Sequence, residues 1–275
     1  MVNASRSTAL MIVFLAAILL ASPVFAQDQE AKVRVAHLSP DAPNVDVYVN
    51  DEPVSKLTDL PYRNVSPYLS LPAGDQNLKI YKTGDTSKPI VEADVSLQGR
   101  ESYTIGVVGL MKDRSLAVQV YEDENEPPAE GKAKLRVIHA APDVSSVDIG
   151  PEGGTDLFTN LGFPNATRYE EVPRGTYTLV ATAVGSDERR LVISDAALSG
   201  GTTYTVFAVG QAGKGTLEVI LSADAGASGG KQRVLPADPM PDTGGPAAAP
   251  LLFVGLALVL LGAACRGIAV GAGRI

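Results

Sequence analysis

The segment KVRVAHLSPDAPNVDVYV, residues 32–49, returns as KLRVIHAAPDVSSVDIG at residues 134–150. At an offset of 102, Lys32, Arg34, Val35, His37, Pro40, Asp41, Val45 and Asp46 meet Lys134, Arg136, Val137, His139, Pro142, Asp143, Val147 and Asp148. One residue is lost near positions 50–56. From there Leu60, Asn64, Pro72, Gly74, Tyr103 and Gly109 meet Leu161, Asn165, Pro173, Gly175, Tyr204 and Gly210 at an offset of 101. The chain's only two histidines fall at the same point of each copy. Such self-similarity, with a single length change, marks a tandem duplication. Whatever this chain folds into must be a unit written twice.

Within the unit the hydrophobic period is two. Val33, Val35 and His37 share one face of a strand, and Lys32, Arg34 and Ala36 share the other. Val45, Val47 and Val49 alternate with Asp46 and Tyr48. That alternation belongs to half-buried strands, and the prolines of the intervening SPDAPN suit a bend, not a central strand. Pro72-Ala73-Gly74 and Pro173-Arg174-Gly175 supply the fixed φ of proline and the permissive φ of glycine for turns between adjacent strands. About seven strands per copy, with turn signals every 8–12 residues, predict an all-β chain of two tandem immunoglobulin- or transthyretin-like antiparallel β-sandwiches. The chain has no Trp, and its single cysteine, Cys265, lies in the C-terminal apolar segment, so disulfides play no part in the fold.

The two ends read differently. Residues 1–26 combine Arg6, an apolar run from Ala9 to Ala21 and the small residues Val24 and Ala26, the pattern of a cleaved signal peptide; a retained anchor is the alternative. Near the other end, Met240-Pro241-Asp242-Thr243-Gly244 precedes an apolar stretch, Ala247 to Cys265, followed by Arg266 and Arg274. The stretch is long enough for a transmembrane helix with the arginines on the cytoplasmic side. Motif, span and basic tail resemble the cell-wall sorting signal of Gram-positive bacteria, with Met where Leu is usual. A plain C-terminal membrane anchor is the alternative. The expected organisation is a signal peptide (1–26), a first sandwich (31–122), an acidic Pro-rich spacer (123–132), a second sandwich (133–222), a flexible stalk (223–245), and a transmembrane helix with basic tail (246–275). Of the 23 basic residues, the three arginines at 6, 266 and 274 lie in the end segments. The stretch between carries 20 basic and 31 acidic residues, a net charge of −11. That balance excludes a phosphate-backbone partner such as nucleic acid.

The Arg-Val-x-His-x-x-Pro-Asp pattern resembles a bacterial extracellular domain-of-unknown-function family, the one numbered four-three-nine-seven. It is carried by Arg34, Val35, His37, Pro40 and Asp41 and again by Arg136, Val137, His139, Pro142 and Asp143. The LPAG and SYTIGVVG segments carry the same resemblance, which covers roughly residues 31–122 and 133–222. It implies tandem modules in a secreted or surface protein and transfers no catalytic residue.

His37 and His139, each with an Asp four residues on, are candidates for locking the Pro bend. A neutral imidazole donating to a carboxylate or carbonyl would do so. A zinc site needs more ligands than one His and one or two carboxylates, and Asp46 and Asp148 have the parity of the opposite face. No cofactor, metal or catalytic residue is assigned. Gly226-Ala227-Ser228-Gly229-Gly230 matches a hydrolase motif only literally, since strand and helix do not flank it. Gly210–Thr216 reads as a hairpin turn. Tyr48, Tyr62, Tyr68, Phe163 and Tyr169 are candidates for a ligand-facing patch, with packing as the competing role. The expected function is a surface-anchored, non-enzymatic protein with a structural or recognition role toward an extracellular protein or glycan. Sortase and cell-wall peptide are the expected anchoring partners, and a metal-dependent or hydrolytic surface enzyme is the alternative.

Overall fold

The computed structural model describes residues 30–226 and 229–236. The signal peptide, the sorting-like residues Met240, Pro241, Asp242, Thr243 and Gly244, the apolar C-terminal stretch and Ser228 all lie outside the described residues. Among the described residues no helix is long and apolar enough to cross a membrane.

The first copy supplies β1 (Glu30–His37), β2 (Val45–Val49), β3 (Glu52–Pro53), β4 (Leu69–Pro72), β5 (Gly74–Lys82), β6 (Val91–Leu97), β7 (Ser102–Val108) and β8 (Ala117–Glu122). They form two four-stranded sheets, β4-β1-β7-β8 and β3-β2-β5-β6. The second copy supplies β9 (Lys132–His139), β10 (Val147–Pro151), β11 (Phe158–Leu161), β12 (Glu170–Pro173), β13 (Gly175–Ala183), β14 (Arg189–Leu198), β15 (Thr203–Val209), β16 (Glu218–Ala225) and β17 (Gln232–Pro236). Its sheets run β11-β10-β13-β14 and β12-β9-β15-β16-β17. The only helical element among the described residues is a three-residue 3-10 turn, Ala212–Lys214, in the predicted hairpin turn. The chain is all-β. Its sheets are mostly antiparallel, but β1 runs parallel to β7 and β9 parallel to β15.

Alternation sorts each strand's side chains between two interiors. Ala31, Val33 and Val35 of β1 face Val45, Val47, Leu78 and Ile80 of the opposing sheet, and that apolar layer is the first core. Ala133, Leu135 and Val137 of β9 enter the corresponding second core with Val147, Ile149, Leu179 and Ile193. Each core is what half-buried strands alone would provide.

A third apolar layer joins the copies. Ala36, Leu38, Val108 and Tyr121 of the first copy pack with Ile138, Phe207, Val209 and Ile220 of the second. The sheets bearing β1 and β9 are therefore buried on both faces, and the four sheets stack in four layers. The two halves of this seam are not copies of one another. Phe207 of β15 stands where β7 has Gly106. A side chain at Gly106 would meet the ring of Tyr121 at 3.1 Å and Leu38 at 3.4 Å. Tyr121 of the same copy takes the space that Gly106 leaves, as close-packed interiors demand.

Two expectations about the connecting segments are corrected. The acidic spacer is not uniformly solvated: Asp123 is buried and its backbone N–H donates to Ser102. The stalk is not flexible where it begins. Ser222–Ala225 complete β16, and Gln232–Pro236 form β17, paired antiparallel with β16. The physical reasons are that Leu235 is buried and that the Gln232 side chain is held by the first copy. Its Oε1 accepts from the Val65 N–H at 2.9 Å and its Nε2 donates to the Arg63 carbonyl at 2.9 Å.

Candidate functional site

The same alternation that buries Val33 and Val35 in one core turns Arg34 into the seam. Its side chain is 3% exposed and that of Arg136 is 2% exposed. An isolated buried guanidinium is untenable in a low dielectric, so each requires a carboxylate, and each makes its shortest ion pair with the other copy, Arg34 also lying 3.6 Å from Asp123. Arg34 Nη1 donates to Asp224 Oδ1 at 2.5 Å, and Arg136 Nη2 donates to Asp123 Oδ1. Both carboxylates are fully buried as well.

Threonines knit the crossed pairs together. Arg34 Nε donates to Thr104 Oγ1 at 2.8 Å and Nη2 to Thr205 Oγ1 at 3.2 Å; Arg136 Nε donates to Thr205 at 3.0 Å and Nη2 to Thr104 at 3.2 Å. The hydroxyls donate onward, Thr104 to Asp123 at 2.8 Å and Thr205 to Asp224 at 2.5 Å. Each guanidinium also lies over a tyrosine ring of its own copy, Arg34 over Tyr68 at 4.9 Å and Arg136 over Tyr169 at 4.7 Å. Burial alone would lower the Arg34 pKa, but Asp224 and then Asp123 outweigh it and raise it above the ordinary arginine value. Burial, only partly opposed by the neighbouring arginines, raises the phenols of Tyr68 and Tyr169 far above theirs.

Of the residues singled out in the sequence, Tyr68 and Tyr169 join this cluster, whereas the histidines and aspartates are brought to loop junctions. His37 Nε2 donates to the Pro43 carbonyl at 2.9 Å, and His139 Nε2 meets the Ser145 carbonyl at 3.3 Å. Each imidazole thus ties the end of its strand across the Pro bend, of which Pro40 and Pro142 are part, and the acceptor is a carbonyl. Asp41 instead accepts from the Met111 and Lys112 N–H groups at 2.7 and 3.2 Å. Asp143 does the same for Ala212 and Gly213, both at 2.9 Å. Asp46 takes the Asp59 N–H at 2.8 Å, the Thr83 hydroxyl at 3.1 Å and the Gly84 N–H at 3.2 Å. Asp148 takes the Asn160 N–H at 2.7 Å. Desolvation would raise the Asp46 pKa, but these donors outweigh it and hold it below the ordinary carboxylate value. The five-residue aromatic patch does not assemble. Tyr62 and Phe163 pack edge-on to His37 and His139, and Tyr68 and Tyr169 cover the arginines.

Arg34, Arg136, Thr104, Thr205, Asp123 and Asp224 were assigned no role from the sequence. Arg34 and Arg136 stood in the quoted motif with surface parity, and the signal lay in their recurrence on a face that single sandwiches leave to solvent. Among the described residues no group of three or more His, Cys, Asp or Glu side chains is placed to hold a metal ion. A cavity of about 30 Å³ in the second core is lined by His139, Val144, Ala208 and Leu217. That volume suits at most a water molecule, and it opens where Ala208 and Ala181 replace Val107 and Ile80 of the first copy.

The fold and seam define a paired β-sandwich protein whose recurrent polar residues brace loops and join the copies. The chain belongs to the family described as domain of unknown function DUF4397, whose model matches residues 31–150 and 152–241. No curated protein matches it significantly.

Replacing Arg136 by Leu removes the shortest ion pair of the buried Asp123 carboxylate and leaves it Arg34 Nε at 3.6 Å. Urea unfolding of the full-length chain is expected to show a loss of about 3–5 kcal/mol. The same measurement on Arg168→Gln, whose pair with Glu170 is exposed, is expected to show a loss of about 1 kcal/mol or less.

Burial lowers the pKa of both His37 and His139 below 6.5. Between that value and the lowered ones, the unfolded chain takes up protons that the folded chain does not. Stability is therefore complete above pH 6.5 and falls as the pH drops below it. The thermal midpoint should decline from pH 7.5 to pH 5, and the decline should be markedly shallower in a His37→Gln/His139→Gln variant.

Proposed function

We propose that this chain is a surface-displayed, non-enzymatic protein whose paired sandwiches form a rigid unit held outside the cell for structural support or recognition. One observation carries the reading. The polar residues that recur in both copies are engaged in the fold itself: the arginines close the seam, and Asp41, Asp143, Asp46 and Asp148 hold loops. A scaffold braced in this way suits a module that must keep its shape without the help of disulfides. The export-like start, the Met-Pro-Asp-Thr-Gly motif and the apolar segment with its arginine tail support anchoring at the wall through a sortase, or at the outer face of the membrane.

Mass spectrometry of the protein released from cells by wall-digesting enzyme is the test. The expected product begins after Ala26 and ends at Thr243 joined to a wall peptide. An intact C-terminus at Ile275 in a membrane fraction would replace wall attachment by membrane anchoring. Recovery of the uncleaved chain from the cytosol would remove the reading.

A further inference from the structure

Duplication provides an internal control: a side chain that both copies need for folding should recur, and one present in a single copy invites another explanation. The outer face of β2 and β5 carries such a difference. Tyr48 and Tyr81 stand there edge to face, with ring centroids 4.9 Å apart and planes at 68°. Neither belongs to the apolar cores, and both remain partly exposed. The matching positions in the second copy are Gly150 and Thr182. There the loop carrying Thr155 and Asp156 folds over the bare backbone, so that a Cβ on Gly150 would lie 2.8 Å from Asp156 Cα. The second copy has an open hollow here, lined by Gly150, Asp156 and Thr182, whereas the first places two aromatic rings in the matching positions.

The surroundings are ordered and polar. Asn77 Nδ2 donates to Glu92 at 3.1 Å and to Asp94 at 2.8 Å, and Lys79 Nζ donates to Asp51 at 2.5 Å. These carboxylates are thereby oriented along the outer sheet face with lone pairs still facing solvent. Three acids against one lysine make the face unsuitable for phosphate-rich or uronic-acid polymers. Aromatic rings beside fixed hydrogen-bonding groups match a sugar, whose ring C–H faces are apolar and whose rim is hydroxylated. A β-1,4-linked pyranose chain is itself a flat ribbon, which suits a sheet face.

We propose that this face of the first copy binds a neutral β-1,4-linked saccharide. Tyr48 and Tyr81 contact its apolar C–H surface, one ring by its face and the other by its edge, and Asn77, Glu92 and Asp94 engage its hydroxyls. The proposal rests on the reading of the chain as a surface recognition module and assigns that recognition a place.

The test is calorimetric titration of the full-length chain, held in a detergent without a sugar head, with cellotetraose and chitotetraose. Tetragalacturonate and pentalysine serve as the anionic and basic comparisons. Binding of a neutral tetrasaccharide is expected, weakened about tenfold by Tyr48→Ala or Tyr81→Ala and largely retained in Tyr48→Phe. The thermal midpoints of these variants should stay near that of the parent chain. The assignment is overturned if neither neutral tetrasaccharide binds, if pentalysine or tetragalacturonate binds in preference, or if the alanine variants bind as the parent does. Failure here leaves the mass-spectrometric result on location unchanged, so the two readings fail separately.

Discussion

Two guanidinium groups buried between two sheets constrain everything else in this molecule. A charge in that position is tolerable only with a carboxylate in hydrogen-bond contact and with its remaining donors satisfied. Arg34 and Arg136 meet both conditions by reaching across to Asp224 and Asp123, while Thr104, Thr205, Ser222 and the Glu122 carbonyl accept from their other N–H groups. The shortest ion pairs cross from copy to copy, and Arg34 Nε also lies 3.6 Å from Asp123 at the end of its own copy, so both carboxylates are shared across the seam. The copies are thereby bound into one folding unit, and the ten-residue spacer between them contributes Asp123 to it.

Buried ion pairs are weak sources of net stability but strong penalties when mismatched. The seam's apolar part provides the attraction, and the crossed charges restrict which surfaces fit. Broken symmetry restricts them further. Gly106 leaves room beside Tyr121, and Phe207 fills the equivalent place opposite Ala36 and Leu38. Within the first copy Tyr121 fills the space beside Gly106, and the matching residues of the second copy are Ser222 and Phe207. The duplication has thus diverged into halves suited to each other, and β17, which exists only in the second, reaches back through Gln232 to the loop at Arg63–Val65.

Much of this was legible in the residues. The period of two in VRVAH and VDVYV, the Pro-x-Gly turns and the repeat itself led to paired all-β sandwiches, because strand alternation is a local property. The histidines' role at the bend was also readable, since a strand-end imidazole beside two prolines has few neighbours to choose from. The seam was not. Arg34 has the parity of an exposed face in any single sandwich, and only docking of a second sheet makes that face an interior. Asp123 and Asp224 were hidden for a related reason: they lie at the ends of the matching strands β8 and β16, in composition that reads as spacer or stalk. A charged residue's burial depends on a partner far away in sequence, 190 positions in the case of Arg34 and Asp224, and periodicity carries no information at that range.

If function is display, rigidity matters more than chemistry, and the four-layer stack supplies it without cross-links. The claim at the centre of this account is that the copies open together. Native-state hydrogen exchange of the full-length chain tests it most directly, by comparing the slowest amides of β1 and β7 with those of β9 and β15. A shared opening free energy in all four strands, with the same denaturant dependence, is the expected result. Two separate openings, with one copy exchanging while the other stays protected, would show that the seam does not unite them.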